Sequence, residues 1–294
     1  MARALNRVGT VDMTSGEPVI TDAHQHAWDP SRLSYPWLAG IPELNQPRLP
    51  VQAATPGVNR VIFVEADAAD GVAEAEWVQG LAGEWPELVG IVAHAPVEKP
   101  ELPAVLDRLG QLPLFRGVRR LLQDEPIGFM SSTGFRRGLQ TLSERGIPFD
   151  ACVRHHQLRE LRQALEHADG CTIVLDHLGK PPLKHGLESR EGAAWTEGIL
   201  ALAELPTVFV KLSGLAPEAD VSKPFADQAR PFLEVALEAF GPEHSMSGSD
   251  WPVSAVTPHR LANIEWFNLI ASLVESAADK QVVLSGTAER VYVR

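Results

Sequence analysis

Eight short apolar runs, separated by stretches with helical periodicity, constrain the fold of this chain more than any other feature. The runs begin near Val19, Arg60, Leu88, Leu114, Ile147, Cys171, Thr207 and His244. Several of them lack polar alternation, which is typical of strands buried on both faces. Strand and helix alternating in this way predict an α/β protein with a single (β/α)8 barrel of the TIM type, whose active site lies at the carboxyl ends of the strands.

Two segments between these runs show clear helical patterns. From Pro231 to Phe240, apolar side chains recur every three or four residues and share one helix face. Pro231 fits a first helical turn, and the glycine and proline directly after Phe240 form a stop signal. A second amphipathic pattern begins at Leu158 and is expected to end at Gly170.

The chain has 294 residues, a length that one barrel domain can use completely. We expect residues 19–294 to form this domain and residues 1–18 to be a flexible lead-in, since they contain no apolar run of signal-peptide length. The proline-rich connection over residues 30–50 is longer than a barrel unit needs. It is therefore predicted to fold over the mouth of the barrel as a lid.

The composition indicates which classes of partner and which cellular compartment to expect. The formal charge of -12 disfavours nucleic acid and anionic membranes as partners, which leaves a small molecule. Two cysteines are too few for a disulfide framework and predict reduced, buried thiols in a cytoplasmic protein. Whether the chain forms a homo-oligomer is left open by the sequence.

Ionisable side chains follow nearly every predicted strand, and in such a barrel these positions meet at one face. They are His24, His26, Glu65, His94, Arg119, Arg120, Arg154, His155, His156, Asp176, His177, Lys211 and Asp250. Glu65 has the alternative of pairing with an arginine, and Asp176 is expected to face the helices because side chains alternate along a strand. His155 and His156 flank a helix start, where a structural role is the simpler interpretation.

The pair His24 and His26 is the strongest chemical signal. Two residues apart on a strand, both imidazoles point the same way, about 6.6 Å apart along the chain. Asp250 ends the last strand, which neighbours the first strand in a closed barrel. Two imidazoles and a carboxylate are a common set of ligands for a divalent metal ion. The alternatives are core histidines bonded to protein groups and a carboxylate that caps a helix.

Several motifs together resemble one known family. DAHQHAW, FRGVRRLLQDEP, LDHLGKPP, VKLSGL and GSDWPV occur in this order between Asp22 and Val253. They are similar to the amidohydrolase-2 branch of the amidohydrolase superfamily, and within it to the sugar-lactonase group. The resemblance implies a TIM-like barrel with hydrolase activity.

The resemblance also implies roles for particular residues. The catalytic candidates are Asp250, His177 and Arg119, and it favours Arg119 over Arg120 as the inward side chain. The metal ligands are expected to be His24, His26 and Asp250, with Zn as the expected ion; relatives differ in whether they need a metal. The candidate substrate-binding residues are Glu65, Trp28, Arg154 and Trp251.

Two departures from the family pattern leave alternatives open. Arg119-Arg120 replaces an Arg-His pair, and VRHHQL brings in His155 and His156, either of which is an alternative metal ligand. We expect a hydrolase that opens a small lactone of a sugar acid or a related carboxylic acid, with Asp250 as the base that activates water. The rival hypotheses are a metal-dependent decarboxylase or hydratase on the same barrel, and a barrel that binds a sugar acid without turnover.

Overall fold

A computed structural model describes residues 19–166, 168, 170–258 and 260–293. The predicted lead-in, residues 1–18, lies outside the described residues. Among the described residues, no helix has the length and apolar character needed to cross a membrane.

Eight parallel strands form one sheet in which each strand pairs with the next in the chain. They are β1 (Ile20–Gln25), β2 (Val58–Val64), β3 (Leu88–His94), β4 (Phe115–Leu121), β5 (Phe149–Cys152), β6 (Ile173–Leu175), β7 (Val208–Leu212) and β8 (Ser245–Ser247). Backbone hydrogen bonds from His26 to Trp251 and from Asp250 to His24, both 2.8 Å, join β1 to the segment after β8. The sheet is therefore a nearly closed barrel, which confirms the predicted (β/α)8 fold.

Helices surround the barrel. They are α1 (Pro50–Ala53), α2 (Gly71–Gly80), α3 (Leu102–Leu109), α4 (Thr133–Glu144), α5 (Leu158–Leu165), α6 (Arg190–Ala203), α7 (Phe225–Phe240), α8 (Asn263–Ser272), α9 (Ala277–Gln281) and α10 (Thr287–Tyr292), with a π-helical turn at Val282–Gly286 before α10.

Two helix boundaries differ from the predictions. Pro231 lies inside α7 rather than in its first turn, because Phe225 and Ala229 extend the buried face toward the N-terminus. Burial of those side chains outweighs the backbone hydrogen bond that proline cannot donate. Helix α5 ends at Leu165, before Gly170.

The apolar core has an inner and an outer part. The inner cluster fills the barrel with small and branched side chains, among them Ala23, Ile62 and Val174, and includes Tyr292 of α10. The outer and larger cluster lies between the strands and the helices. This packing fixes the strand ends from which the candidate site is built.

The connection over residues 30–50 folds as predicted over the mouth of the barrel. Leu38 and Leu44 pack in a separate buried cluster with Trp28. The indole of Trp37 donates a 2.7 Å hydrogen bond to the carbonyl of Ala66, just after β2. The lid is thus anchored to the strand ends.

Candidate active site

The imidazoles of His24, on β1, and of His26, directly after it, project into the barrel mouth with their Nε2 atoms 3.2 Å apart. His26 Nδ1 donates to the carbonyl of Val64 on β2 at 2.8 Å, so its Nε2 is free to accept. His24 Nδ1 lies 3.2 Å from Asp176 Oδ1 and 3.3 Å from Lys211 Nζ. His24 Nε2 also lies 3.3 Å from Arg119 Nη1. Either His24 Nε2 donates to His26 Nε2, or it accepts from Arg119 while His24 Nδ1 donates to Asp176, and a cation is then the remaining partner for His26 Nε2.

Asp250 faces this pair from the segment after β8. Its Oδ1 lies 3.5 Å from His26 Nε2 and 3.8 Å from the Nε2 atoms of His24 and His177. Its Oδ2 accepts a 2.8 Å hydrogen bond from Ser254. Burial alone would raise the pKa of Asp250, but the surrounding imidazoles, His177 first, hold that pKa well below its usual range. The carboxylate is therefore ionised at neutral pH.

His177 reaches the cavity from a left-handed turn after β6. Its Nδ1 lies 2.9 Å from the hydroxyl of Ser213, which fixes the ring. Gly214 follows with a φ of +62°, and a Cβ there would lie 2.1 Å from His177 Nδ1, so only glycine fits. Burial lowers the pKa of His177 to about 4, so the imidazole is neutral at pH 7.

Arg119 points inward from β4 and lines the cavity, as expected, and Arg120 points outward. Arg119 Nε donates to Glu65 Oε1 at 2.6 Å, and its Nη1 lies 3.4 Å from Asp176 Oδ2. Glu65 is completely buried and does not line the cavity. The structure thus places Glu65 beside Arg119, whose charge its carboxylate neutralises; this pairing is the alternative to substrate binding that the sequence left open.

A second cluster of ionisable groups lies beneath the histidines, and we call it the buried network. It consists of Asp150, Asp176, Lys211 and Tyr292. Lys211 Nζ contacts Asp150 and lies 3.1 Å from Asp176 Oδ1, and the Tyr292 hydroxyl donates to Asp150 at 2.7 Å. Burial raises the pKa of Asp150 to about 6, while Lys211 holds the pKa of Asp176 well below its usual range against burial.

The inward position of Asp176 contradicts the prediction that it faces the helices. Strand β6 ends at Leu175, and the next residues leave the extended conformation for a turn in which His177 has a φ of +54°. The alternation of side chains along β6 therefore ends before Asp176 and does not predict the directions of Asp176 and His177. Both side chains point into the barrel.

His24, His26, His177 and Asp250 form what we call the cavity floor. A cavity of about 300 Å³ lies above this floor, under the lid. Its lining includes His26, Trp28, Trp37, Ile41, Ala66, Asp67, Arg119, Leu121, Gln123, Asp124, Cys152, His177, Lys180, Gly214, Pro217, Glu218, Asp250 and Val253. The volume suits a small molecule about the size of a monosaccharide lactone.

The remaining predicted substrate-binding residues divide between the cavity and its surroundings. Trp28 lines the cavity, with its indole bonded to the carbonyl of Leu44 at 3.0 Å. Trp251 does not, because its neighbour Asp250 points inward and Trp251 pairs with β1 through its backbone. Arg154 also lies outside the lining and pairs with Asp124 at 3.4 Å, so it supports the rim.

Four lining residues that sequence reasoning did not select form one wall of the cavity. The Lys180 ammonium donates to Gln123 Oε1, and the Cys152 thiol lies 3.6 Å from the same oxygen. Gln123 Nε2 donates to Asp124 Oδ2 at 3.2 Å. Lys180 belongs to the LDHLGKPP motif, and Gln123 follows β4 by two residues. Motif membership and closeness to a strand end were the available signals.

His155 and His156 do not join the histidine cluster. Their rings stack edge to face at 5.7 Å on the short turn after β5, and His155 Nδ1 donates to the carbonyl of Lys180 at 3.2 Å. His156 is mostly exposed, and partial burial lowers its pKa. The alternative that either one is a metal ligand finds no support in these positions.

The donor set at the floor fits a metal ion. One ligand atom from each of His24, His177 and Asp250 lies within 4.8 Å of the others, and His26 Nε2 is close to two of these residues. Neutral imidazole nitrogens with their second nitrogen bonded elsewhere, beside an ionised carboxylate, are typical of transition-metal sites.

Two named proteins are similar to this chain over most of its length. The chain is 33% identical to a protein named L-fucono-1,5-lactonase from Burkholderia multivorans, over 92% of this chain and 95% of the relative. It is 28% identical to another protein of that name from Burkholderia ambifaria, over 81% and 82% of the two chains.

A solved structure is also similar to this chain. The structure of an amidohydrolase from Burkholderia multivorans with bound zinc superposes with a TM-score of 0.79 at 31% identity, covering 93% of this chain and 99% of that chain. A family model described as amidohydrolase matches residues 21–294. The chain belongs to the amidohydrolase family.

Proposed function

We propose that this enzyme hydrolyses a small lactone of a sugar acid or a related carboxylic acid. The observation that carries the proposal is the ionised carboxylate of Asp250, which faces three imidazoles at 3.5–3.8 Å on the floor of a cavity of about 300 Å³. The relatives named L-fucono-1,5-lactonase, from Burkholderia multivorans and Burkholderia ambifaria, support this substrate class.

In the proposed reaction, Asp250 takes a proton from a water molecule that attacks the lactone carbonyl. Ser254 holds the other carboxylate oxygen at 2.8 Å, which leaves Oδ1 directed at the cavity. The ring C–O bond then breaks, and the proton held by Asp250 passes to the departing alkoxide oxygen. The product is a hydroxy acid, and the carboxylate is restored.

Three further side chains act on the substrate in this proposal. The Arg119 guanidinium stabilises negative charge on the carbonyl oxygen, and Glu65 and Asp176 keep its plane fixed. Neutral His177, held by Ser213, orients the carbonyl. Trp28 supplies an apolar face to the sugar ring.

A divalent metal ion, with zinc proposed, fits His24, His26 and Asp250. Support comes from the Nε2 atoms of His24 and His26, which face each other 3.2 Å apart, and from the zinc in the structurally similar amidohydrolase. A bound ion supplies Lewis-acid stabilisation of the carbonyl oxygen. We also propose a cytoplasmic location, for which the two free cysteines, Cys152 and Cys171, are the support.

A panel of aldonolactones, read with a pH indicator, tests the proposal. We expect acid release above the spontaneous rate, and metal analysis of the same preparation tests for zinc. A barrel that only binds sugar acids would show a thermal shift with these compounds and no acid. Carbon dioxide release from aromatic acids without lactone opening would instead point to the rival decarboxylase.

A further inference from the structure

Four successive residues after β6 have left-handed backbone conformations. The φ angles of His177, Leu178, Gly179 and Lys180 are +54°, +54°, +66° and +50°. Only glycine adopts this region without steric cost, so three of the four residues are strained. Strain of this kind persists only where the surrounding structure imposes it, and it concentrates at functional sites.

The surroundings of this turn do impose it. The indole of Trp195 donates to the carbonyl of Leu178 at 2.7 Å, and His155 donates to the carbonyl of Lys180 at 3.2 Å. A Cβ on Gly179 would lie 2.5 Å from the side chain of Leu158, so the turn packs closely on α5. The conformation is therefore fixed from three sides.

The turn brings two side chains to the same cavity. The backbone N–H of Lys180 donates to the carbonyl of His177 at 2.8 Å, an i to i+3 bond. A helical turn closed by such bonds has about three residues per turn, so its first and fourth residues share a side. His177 and Lys180 accordingly both line the cavity.

Lys180 differs from Arg119, the other cationic side chain of lysine or arginine type in the described lining. Arg119 is neutralised by Glu65 and Asp176. The Lys180 ammonium donates to the neutral Gln123, and no carboxylate oxygen among the described residues lies within 4.0 Å of it. An ammonium has three N–H donors, so two remain for a ligand.

We propose that Lys180 is a substrate-binding residue whose ammonium donates hydrogen bonds to a hydroxyl oxygen of the lactone; this rests on the proposed lactonase function. The carboxylates of Asp67, Asp124 and Glu218 line the same cavity. They repel an anionic substituent and accept hydrogen bonds from hydroxyl groups, which both donate and accept. The lining therefore selects a neutral, polyhydroxylated lactone.

The test compares two substrates that share a six-membered lactone ring. L-fucono-1,5-lactone carries hydroxyl groups, and δ-valerolactone has none. The variant Lys180→Met should raise KM for the hydroxylated lactone by about 10- to 100-fold. It should change kcat/KM for δ-valerolactone by less than about threefold. Lys184→Met, an exposed lysine four residues further on, is the matched control and should alter neither.

A second variant covers a folding defect in the first. Gln123→Glu keeps Lys180 but gives it a carboxylate partner, so it should raise the same KM, and Lys180→Arg should recover part of the loss. Two results would overturn the role of Lys180 but not the proposed function. One is an equal loss of kcat/KM on both lactones, and the other is an unchanged KM in Lys180→Met with a wild-type melting temperature. If the wild-type enzyme opens neither these lactones nor any other aldonolactone, the proposed function fails and this role fails with it.

Discussion

The cavity floor and the buried network are two clusters of ionisable groups in one barrel, joined at His24. In the floor, made of His24, His26, His177 and Asp250, the shortest contacts between imidazoles and the carboxylate are 3.5–3.8 Å. In the network, Lys211 contacts two carboxylates, one of which also receives the Tyr292 hydroxyl at 2.7 Å. Three residues of the floor border the cavity and can bind a ligand there, whereas the charged groups of the network are buried and contact one another.

This difference indicates that the floor serves the reaction and the network serves the stability of the fold. Groups with unused capacity beside a cavity can bind a water molecule, an ion or a substrate oxygen. Groups that are fully buried and paired contribute to stability, because removing one partner leaves an uncompensated charge. Substitutions in the floor should therefore reduce turnover more than stability, and substitutions in the network should do the reverse.

The largest expected effect is that of Asp250→Asn in the floor. Loss of the base should lower kcat on an aldonolactone by about 10²- to 10⁴-fold. Because the imidazoles that hold the pKa of Asp250 low also stabilise its carboxylate, the variant should lose some stability as well, about 1–2 kcal/mol in free energy of unfolding, since Asn can still accept from Ser254. Asp227→Asn, at an exposed position of α7, is the control for both measurements. A kcat close to that of the wild type would remove Asp250 from the reaction.

Lys211→Met should have the next largest effect, and this effect should be on stability instead of turnover. It leaves Asp150 and Asp176 buried without their cation, which should lower the free energy of unfolding by about 3–5 kcal/mol in urea titration. Lys223→Met removes a lysine whose side chain is 59% exposed and should cost little. Adding Asp150→Asn to Lys211→Met should restore part of the stability. A wild-type unfolding curve for Lys211→Met would contradict the comparison.

The sequence predicted the floor better than the network for a physical reason. His24, His26, Arg119 and Asp250 each follow an apolar run, and barrel closure brings the ends of such runs together. The prediction for Asp176 failed because a left-handed turn starts at the next residue, and nothing in the local alternation shows this turn.

The pairings beneath and beside the floor could not be read from local pattern at all. Lys211 and Asp150 are 61 positions apart, and Lys180 and Gln123 are 57 apart. Such pairs depend on the register between non-neighbouring strands and on side-chain length. For the same reason Glu65 was assigned to substrate, although Arg119 on β4, 54 positions away, takes its carboxylate.

The two regions should also differ in how their carboxyl groups respond to pH. Burial raises the pKa of Asp150 from 3.8 to about 6, so its contribution to stability is present below about pH 4 and is lost as the pH rises through 6. The difference in unfolding free energy between wild type and Asp150→Asn should fall by about 3 kcal/mol from pH 4 to pH 7. The pKa of Asp250 is lowered, so the corresponding difference for Asp250→Asn should stay constant over that range. Parallel pH profiles for the two variants would contradict the distinction.

The smallest effect tests how far the network supports the floor. Tyr292→Phe removes only the hydroxyl that donates to Asp150, so it should lower the free energy of unfolding by about 1–2 kcal/mol. Tyr292→Leu also removes the ring that lies 5.4 Å from Lys211 Nζ, and it should cost more. Both variants should keep kcat within a few-fold of wild type, because Asp150, Lys211 and Asp176 stand between Tyr292 and His24. A kcat that falls in Tyr292→Phe without loss of stability would show that the network positions His24 for the reaction instead of stabilising the fold.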